Sequence, residues 1–183
     1  MRSLRALLLG CLSVCLLAAC VQVNPRAGGL APHYAHPFLA VPSVSVAPVP
    51  SGYDPHADAP AAVAAAQAAS RKDGRPVLVE FGADWCADCQ ALAQRSATPG
   101  AWLVLARNYH LVTVDVGHFD RNGALAARWI DLKRSGIPAL VVLDPDGRVR
   151  ATTQDGSFAN ARSLSVDALT ERLVDWLYPA SRS

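Results

Sequence analysis

The sequence predicts an α/β domain with a mixed central β-sheet and helices on both of its faces. Three observations carry this. Two short apolar runs of β-forming residues, 76–82 ("PVLVEFG") and 110–116 ("HLVTVDV"), alternate with stretches of helical pattern, and strands joined through helices pair in parallel by right-handed crossovers. Two later runs, 138–144 ("PALVVLD") and 148–153 ("RVRATT"), flank Asp144-Pro145-Asp146-Gly147, which reads as the turn of an antiparallel hairpin. A length of 183 residues suits one domain with additional segments.

The additional segments come first. Arg2 and Arg5 precede an apolar run, residues 6–19, that ends in Leu17-Ala18-Ala19-Cys20. A basic start, an apolar stretch and small residues before a cleavage point describe a signal peptide over residues 1–19. The run is shorter than the roughly 20 residues a membrane-spanning helix needs. Its end resembles the lipobox of bacterial lipoproteins. That resemblance implies that Cys20 becomes an acylated mature N-terminus and anchors the chain to a membrane. Val21 stands where some bacteria use an aspartate to retain lipoproteins at the inner membrane, which leans to the outer membrane. Cleavage removes two arginines and no acidic residue, leaving 15 basic against 15 acidic side chains. A near-neutral chain lacks the basic surplus of a nucleic-acid binder.

Residues 20–57 are rich in Pro, Ala, Ser, Val and Gly. They show no helical period, and repeated prolines prevent continuous sheet pairing. This reads as an extended tether of ~3 Å per residue in its polyproline-like parts; a packed strand at 44–49 is the alternative.

The folded domain is assigned to residues 58–183. Asp58 caps a first helix, with Pro60 in its first turn, an alanine-rich body to about Ser70 and Gly74 as its stop. The strand at 76–82 leads into a helix over 84–95 with Cys86 at its start. Thr98-Pro99 opens a short helix to Asn108. After the strand at 110–116, Asp120 starts a helix through Trp129. The hairpin follows. Ser165 then caps a last helix whose Leu169, Leu173, Trp176 and Leu177 share one face.

The chemistry concentrates at Cys86 and Cys89. Of five cysteines, Cys11 and Cys15 leave with the signal and Cys20 carries lipid, so this pair supplies the domain's thiols. A disulfide framework uses several well-separated pairs, whereas one closely spaced pair in an exported chain reads as working redox chemistry. A structural disulfide here would gain little, because the stabilisation grows with the length of the closed loop. A metal site needs two more ligands, and His33, His36, His56, His110 and His118 show no zinc-finger spacing with the pair. Copper(I) on two thiolates is the metal alternative. At a helix start, free N–H groups and the helix dipole favour an anion, and the thiolate is the attacking species. Cys86 is therefore expected as an exposed nucleophile. Cys89, one turn on, is placed to attack a mixed disulfide on Cys86 and release the substrate. Glu80 interrupts an apolar strand six residues earlier. Buried there, its pKa would rise; on an edge strand it would simply face water. A Cys-x-x-Cys at a strand–helix junction is a thioredoxin-like signature.

Longer stretches carry the resemblance further. "VLVEFGADWCADCQAL" (77–92) resembles the active-site strand and helix of the thioredoxin superfamily, and "SGIPALVVLDPDGRV" (135–149) resembles its cis-proline loop and following hairpin. The resemblance covers about residues 58–178. It implies a thioredoxin fold, a cis Ile137–Pro138 bond, and an Ile137 backbone that pairs with an extended substrate segment. It implies that Glu80 moves protons to and from Cys89 and that Trp85 lines the substrate surface, a core aromatic being the alternative for Trp85. No organic cofactor is implied, because the cysteines carry the electrons. Asp84 reads as a helix cap, and Asp115 and His118 as structural. Two departures stand out: Gln90 replaces a basic residue common in the family, and Ala87-Asp88 replaces the familiar Gly-Pro. A charged Asp88 near the thiolate would make the couple less oxidising, and the short helix at Thr98 is similar to those of periplasmic reductase domains. The expectation is a lipid-tethered, periplasm-facing thiol-disulfide oxidoreductase that reduces disulfides in exported proteins and draws electrons from a membrane donor. A disulfide oxidase or isomerase, or a copper-delivery module, is the alternative. A vestigial pair is disfavoured, because Trp-Cys-x-x-Cys, Glu80 and Ile-Pro occur together.

Overall fold

The computed structural model describes residues 52–178. The expected signal peptide, the lipidation site Cys20, most of the tether and the alternative strand at 44–49 lie outside the described residues.

The first helix, α1 (Ala59–Asp73), begins as expected. Asp58 accepts the Ala61 N–H at 3.0 Å, and Pro60 sits in the first turn. Gly74 ends it in the left-handed region, φ 79°, with its N–H returned to the Ser70 carbonyl. β1 (Val77–Gly82) is buried along its whole length. It leads to α2 (Ala87–Ser96) and α3 (Pro99–Asn108), then β2 (His110–Asp115). Two short helices follow, α4 (Gly123–Ala126) and α5 (Leu132–Ser135). The hairpin β3 (Ala139–Leu143) and β4 (Val149–Thr152) turns at Gly147, φ 86°, whose N–H bonds the Asp144 carbonyl at 2.8 Å. A 3-10 turn (Ala161–Ser163) precedes α6 (Val166–Leu177), capped by Ser165 through the Ala168 N–H.

The strands form one mixed sheet in the order β2-β1-β3-β4. β1 is parallel to β2 and antiparallel to β3, and β3 is antiparallel to β4. The period of two sorts the core into two layers. Val77, Val79, Phe81 and Val141 join residues of α1, α4 and α5. Leu78, Leu140 and Val142 join residues of α2, α3 and α6, including Leu92, Leu105, Leu169 and Trp176. β1 is therefore central in both directions, flanked by a strand on each edge and a layer on each face. Any polar side chain on it is enclosed.

Two expectations need correction. The helix expected over 120–129 shrinks to α4, with α5 as a separate turn. Asn122 takes left-handed backbone (φ 52°), as does Phe119 just before Asp120 (φ 67°), so a helix from Asp120 cannot propagate through Asn122. Asp120 instead accepts the His118 N–H at 3.0 Å in the preceding loop, and Asp131 caps α5 through the Lys133 N–H. The folded part also begins before Asp58. Tyr53 is only 4% exposed and belongs to the core. The end of β1 admits its ring because Gly82 has no side chain; a Cβ there would overlap the Tyr53 ring.

Candidate active site

The link from β1 to α2 sets the position of the first cysteine. Cys86 is the N-cap of α2, with extended backbone (φ −78°, ψ 112°), and its Sγ accepts the Cys89 N–H at 3.1 Å. This is the place Ser or Asp takes at other helix starts. The donor and the helix dipole are aimed to hold negative charge that develops on the sulfur. The helix starts at Ala87 rather than Asp84, so Asp84 does not cap it. Its carboxylate instead accepts the Tyr53 N–H at 2.9 Å.

Across from Cys86 stands the loop before β3. The Ile137–Pro138 peptide is cis, and the Ile137 carbonyl lies 3.7 Å from Cys86 Sγ. Ile137 belongs to the same buried cluster as Cys86. Cys86 is consequently buried, not exposed as expected, in the space between the α2 start and this loop.

Cys89 lies deeper, with 0% exposure, and neither cysteine is in a disulfide. Burial, followed by its hydrogen bond with Cys86, pushes the Cys89 thiol well above its ordinary range; the charge on Glu80 adds to this. Glu80 stands on central β1, paired with Thr113 and Leu140, and is 6% exposed. The edge-strand alternative is excluded. Burial raises its carboxyl from 4.5 to about 7, against the opposing pull of a hydrogen bond from Tyr53. The Tyr53 hydroxyl donates to Glu80 Oε1. The same hydroxyl interacts with Cys89, and burial with these two neighbours keeps the phenol protonated. Glu80, Tyr53 and Cys89 thus form one enclosed group.

On the outside, Trp85 is 51% exposed, so it is not a core aromatic. Its Nε1–H bonds the Gly117 carbonyl at 2.8 Å. Its ring stacks on His118 at 5.1 Å and meets Phe119 edge-on. Phe119 is itself exposed and lines a groove of about 350 Å³ with Ala127, Ile130 and Leu132. Trp85, adjacent to Cys86 in the chain, and Phe119 make an exposed aromatic shelf, and the groove beyond Phe119 also carries Arg121, Asp131 and Lys133. Asp88 lies in the first turn of α2 and accepts both the backbone N–H and the Nε–H of Arg162. Those contacts, the backbone one first, hold its carboxyl below the usual range. Asp88 is therefore charged, as expected, but Arg162 offsets its field. Asp115, read as structural, accepts the Gly117 N–H and pairs with Arg121 at 3.2 Å. Among the described residues, no group of three or more His, Cys, Asp or Glu is arranged to hold a metal ion.

Sequence reasoning brought Cys86, Cys89, Glu80, Trp85, Ile137 and Pro138 to one site. It missed Tyr53, set aside with the tether, and the shelf residues His118 and Phe119. One signal was present for Tyr53. A glycine inside a buried strand marks a place where another group comes close, and Gly82 is such a glycine.

The Thioredoxin-like family matches residues 55–145. A thiol:disulfide interchange protein TxlA homolog of Synechocystis is 36% identical over 75 residues, 41% of this chain and 38% of that protein. The TxlA protein of Synechococcus elongatus is 29% identical over 97 residues, 53% of this chain and 48% of that protein. The chain thus spans less than half the length of these curated relatives. Among solved structures, a disulphide isomerase from Xylella fastidiosa Temecula1 is 41% identical with a TM-score of 0.65, covering 67% of this chain and 94% of that one. Sequence, sheet order and the cis-proline facing a helix-capping cysteine all point the same way, and the chain belongs to the thioredoxin superfamily.

Proposed function

We propose that this protein is a thiol-disulfide oxidoreductase that works through Cys86 and Cys89. The observation that carries the reading is Cys86 capping α2 directly opposite the Ile137 carbonyl, with Cys89 and Glu80 enclosed behind it. The Cys86 thiolate attacks a substrate disulfide. A Cys86–substrate disulfide forms, and the other substrate sulfur leaves as a thiol. The Ile137 carbonyl is placed to receive a backbone N–H of the bound segment, and the Trp85–Phe119 shelf to receive its apolar side chains. Cys89 then attacks Cys86 Sγ while Glu80 takes its proton. The Cys86–Cys89 disulfide forms, the bond to the substrate breaks, and the substrate leaves with both sulfurs reduced. The protein has given up two electrons, and an external thiol donor must restore them.

The test is trapping. With Cys89→Ser, a disulfide-bonded test protein should accumulate as a mixed disulfide on Cys86, seen by intact mass and lost on adding a reductant. With Cys86→Ser no adduct should form; an adduct there would sink the assignment.

The direction of flux we assign is reduction of disulfides in exported proteins, fed by a membrane donor. Asp88 supports it only in part, because Arg162 offsets its charge. A second reading, isomerase or oxidase, is favoured by the description of the Xylella relative as a disulphide isomerase. The reduction potential separates them: near about −270 mV for a reductant, towards about −120 mV for an oxidant. The cellular placement rests on Leu17-Ala18-Ala19-Cys20. We assign the mature chain to the bacterial envelope, anchored through lipid on Cys20, facing the periplasm and leaning to the outer membrane.

A further inference from the structure

Tyr53 lies before the segment that matches the Thioredoxin-like family at residues 55–145, yet its hydroxyl reaches the centre of the site. Three contacts hold it there. Its backbone N–H bonds Asp84 at 2.9 Å, its ring fills the space left by Gly82, and its hydroxyl donates to Glu80 Oε1. Gly82 and Glu80 are two residues apart on β1, so they face the same side. The missing side chain at one is what lets the ring reach the other.

We propose that Tyr53 is a positioning residue for the proton transfer between Cys89 and Glu80. This rests on the oxidoreductase reading above. A buried acid serves as a base only when it can ionise, and burial opposes that. The phenol hydroxyl opposes burial by donating to the charged form. It fixes Oε1 and also meets Cys89, so one hydroxyl touches both the thiol that sheds the proton and the carboxylate that takes it. The titratable groups that face this hydroxyl are Glu80 and Cys89. Cys86 meets it through Cys89, and Asp84 is bonded to the Tyr53 backbone.

The resolving step carries the test. The full-length chain with Cys11, Cys15 and Cys20 replaced by alanine is reduced and mixed with excess dithiobis(nitrobenzoic acid). The first nitrothiobenzoate released reports attack by Cys86. The second reports its displacement from Cys86 by Cys89, which is the step that sheds a proton to Glu80. The rate of the second phase should rise with pH as Glu80 ionises. Tyr53→Phe keeps the ring and removes the donor, so the rise should move to higher pH by about one unit. Fluorotyrosine in place of Tyr53, a stronger donor of nearly the same volume, should move it lower. Glu80→Gln should abolish the rise. If Tyr53→Phe and fluorotyrosine both leave the profile where it was while Glu80→Gln removes it, Tyr53 only fills space and the proposal fails alone. If the rise survives in Glu80→Gln, the base assignment fails and takes the Tyr53 proposal with it.

Discussion

Glu80 shows how one residue sets a pH dependence. Its carboxyl is raised from 4.5 to about 7 by burial. Below pH 4.5 it is protonated both folded and unfolded and costs nothing. Between 4.5 and about 7 the unfolded chain sheds the proton while the fold keeps it, so stability falls as pH rises. Above about 7 the whole penalty is present, about 3 kcal/mol for this shift. Glu80→Gln removes the titration. Its stability relative to the parent should therefore increase by up to about 3 kcal/mol between pH 4.5 and pH 8, read by urea denaturation at each pH. A flat difference would mean that Glu80 is not enclosed as described. The same substitution should slow disulfide reduction at neutral pH, since Cys89, held as a thiol by burial, loses its proton acceptor. Trading stability for an ionisable group in the core is a mark of a working site.

At the scale of elements, the site is a meeting of three pieces: the end of β1, the start of α2 and the loop before β3. Tyr53 adds a fourth. Gly82→Ala should push the Tyr53 ring out of place and cost about 1–3 kcal/mol, as overpacking does, with the upward pH–rate limb set by Glu80 moved to higher pH. Tyr53→Ala should cost about 3–5 kcal/mol through the cavity it leaves, measured by thermal or urea unfolding. A smaller loss in both would mean the segment before Asp58 is loosely held. The links that sequence patterns misjudged were those governed by backbone conformation. Left-handed backbone at Phe119 and Asn122 moved the start of an expected helix from Asp120 to Gly123, and a phenylalanine does not announce that conformation as a glycine would. Helices with capping signals, by contrast, began where Asp58 and Ser165 placed them.

For the whole molecule, the formal charge is close to neutral, +2 over the full sequence. Charge steering is not expected to matter. The rate of reduction of a neutral test substrate should change less than about twofold between 0.05 and 0.5 M salt, because screening acts on net charge–charge attraction. The anchor is tested separately. Labelled palmitate should enter the parent chain in a bacterial host and not a Cys20→Ala chain. Incorporation by the latter would remove the lipid-anchored reading without touching the chemistry of Cys86 and Cys89.

Local chemistry determined a large part of this protein. Apolar runs bounded by turn residues gave the strands, side-chain caps gave the helix starts, and a Cys-x-x-Cys at a strand–helix junction gave the reactive pair. These depend on residues near one another in the chain, so sequence alone can specify them. What the tertiary structure decided are the relations between distant residues. The Ile137 carbonyl meets Cys86 across 51 residues, Arg162 offsets Asp88 across 74, and Tyr53 reaches Glu80 across 27. Each depends on how the sheet orders its strands and on which space a missing side chain leaves open. Burial, which sets the acidity of Glu80 and Cys89, comes from that packing and from no single stretch of sequence.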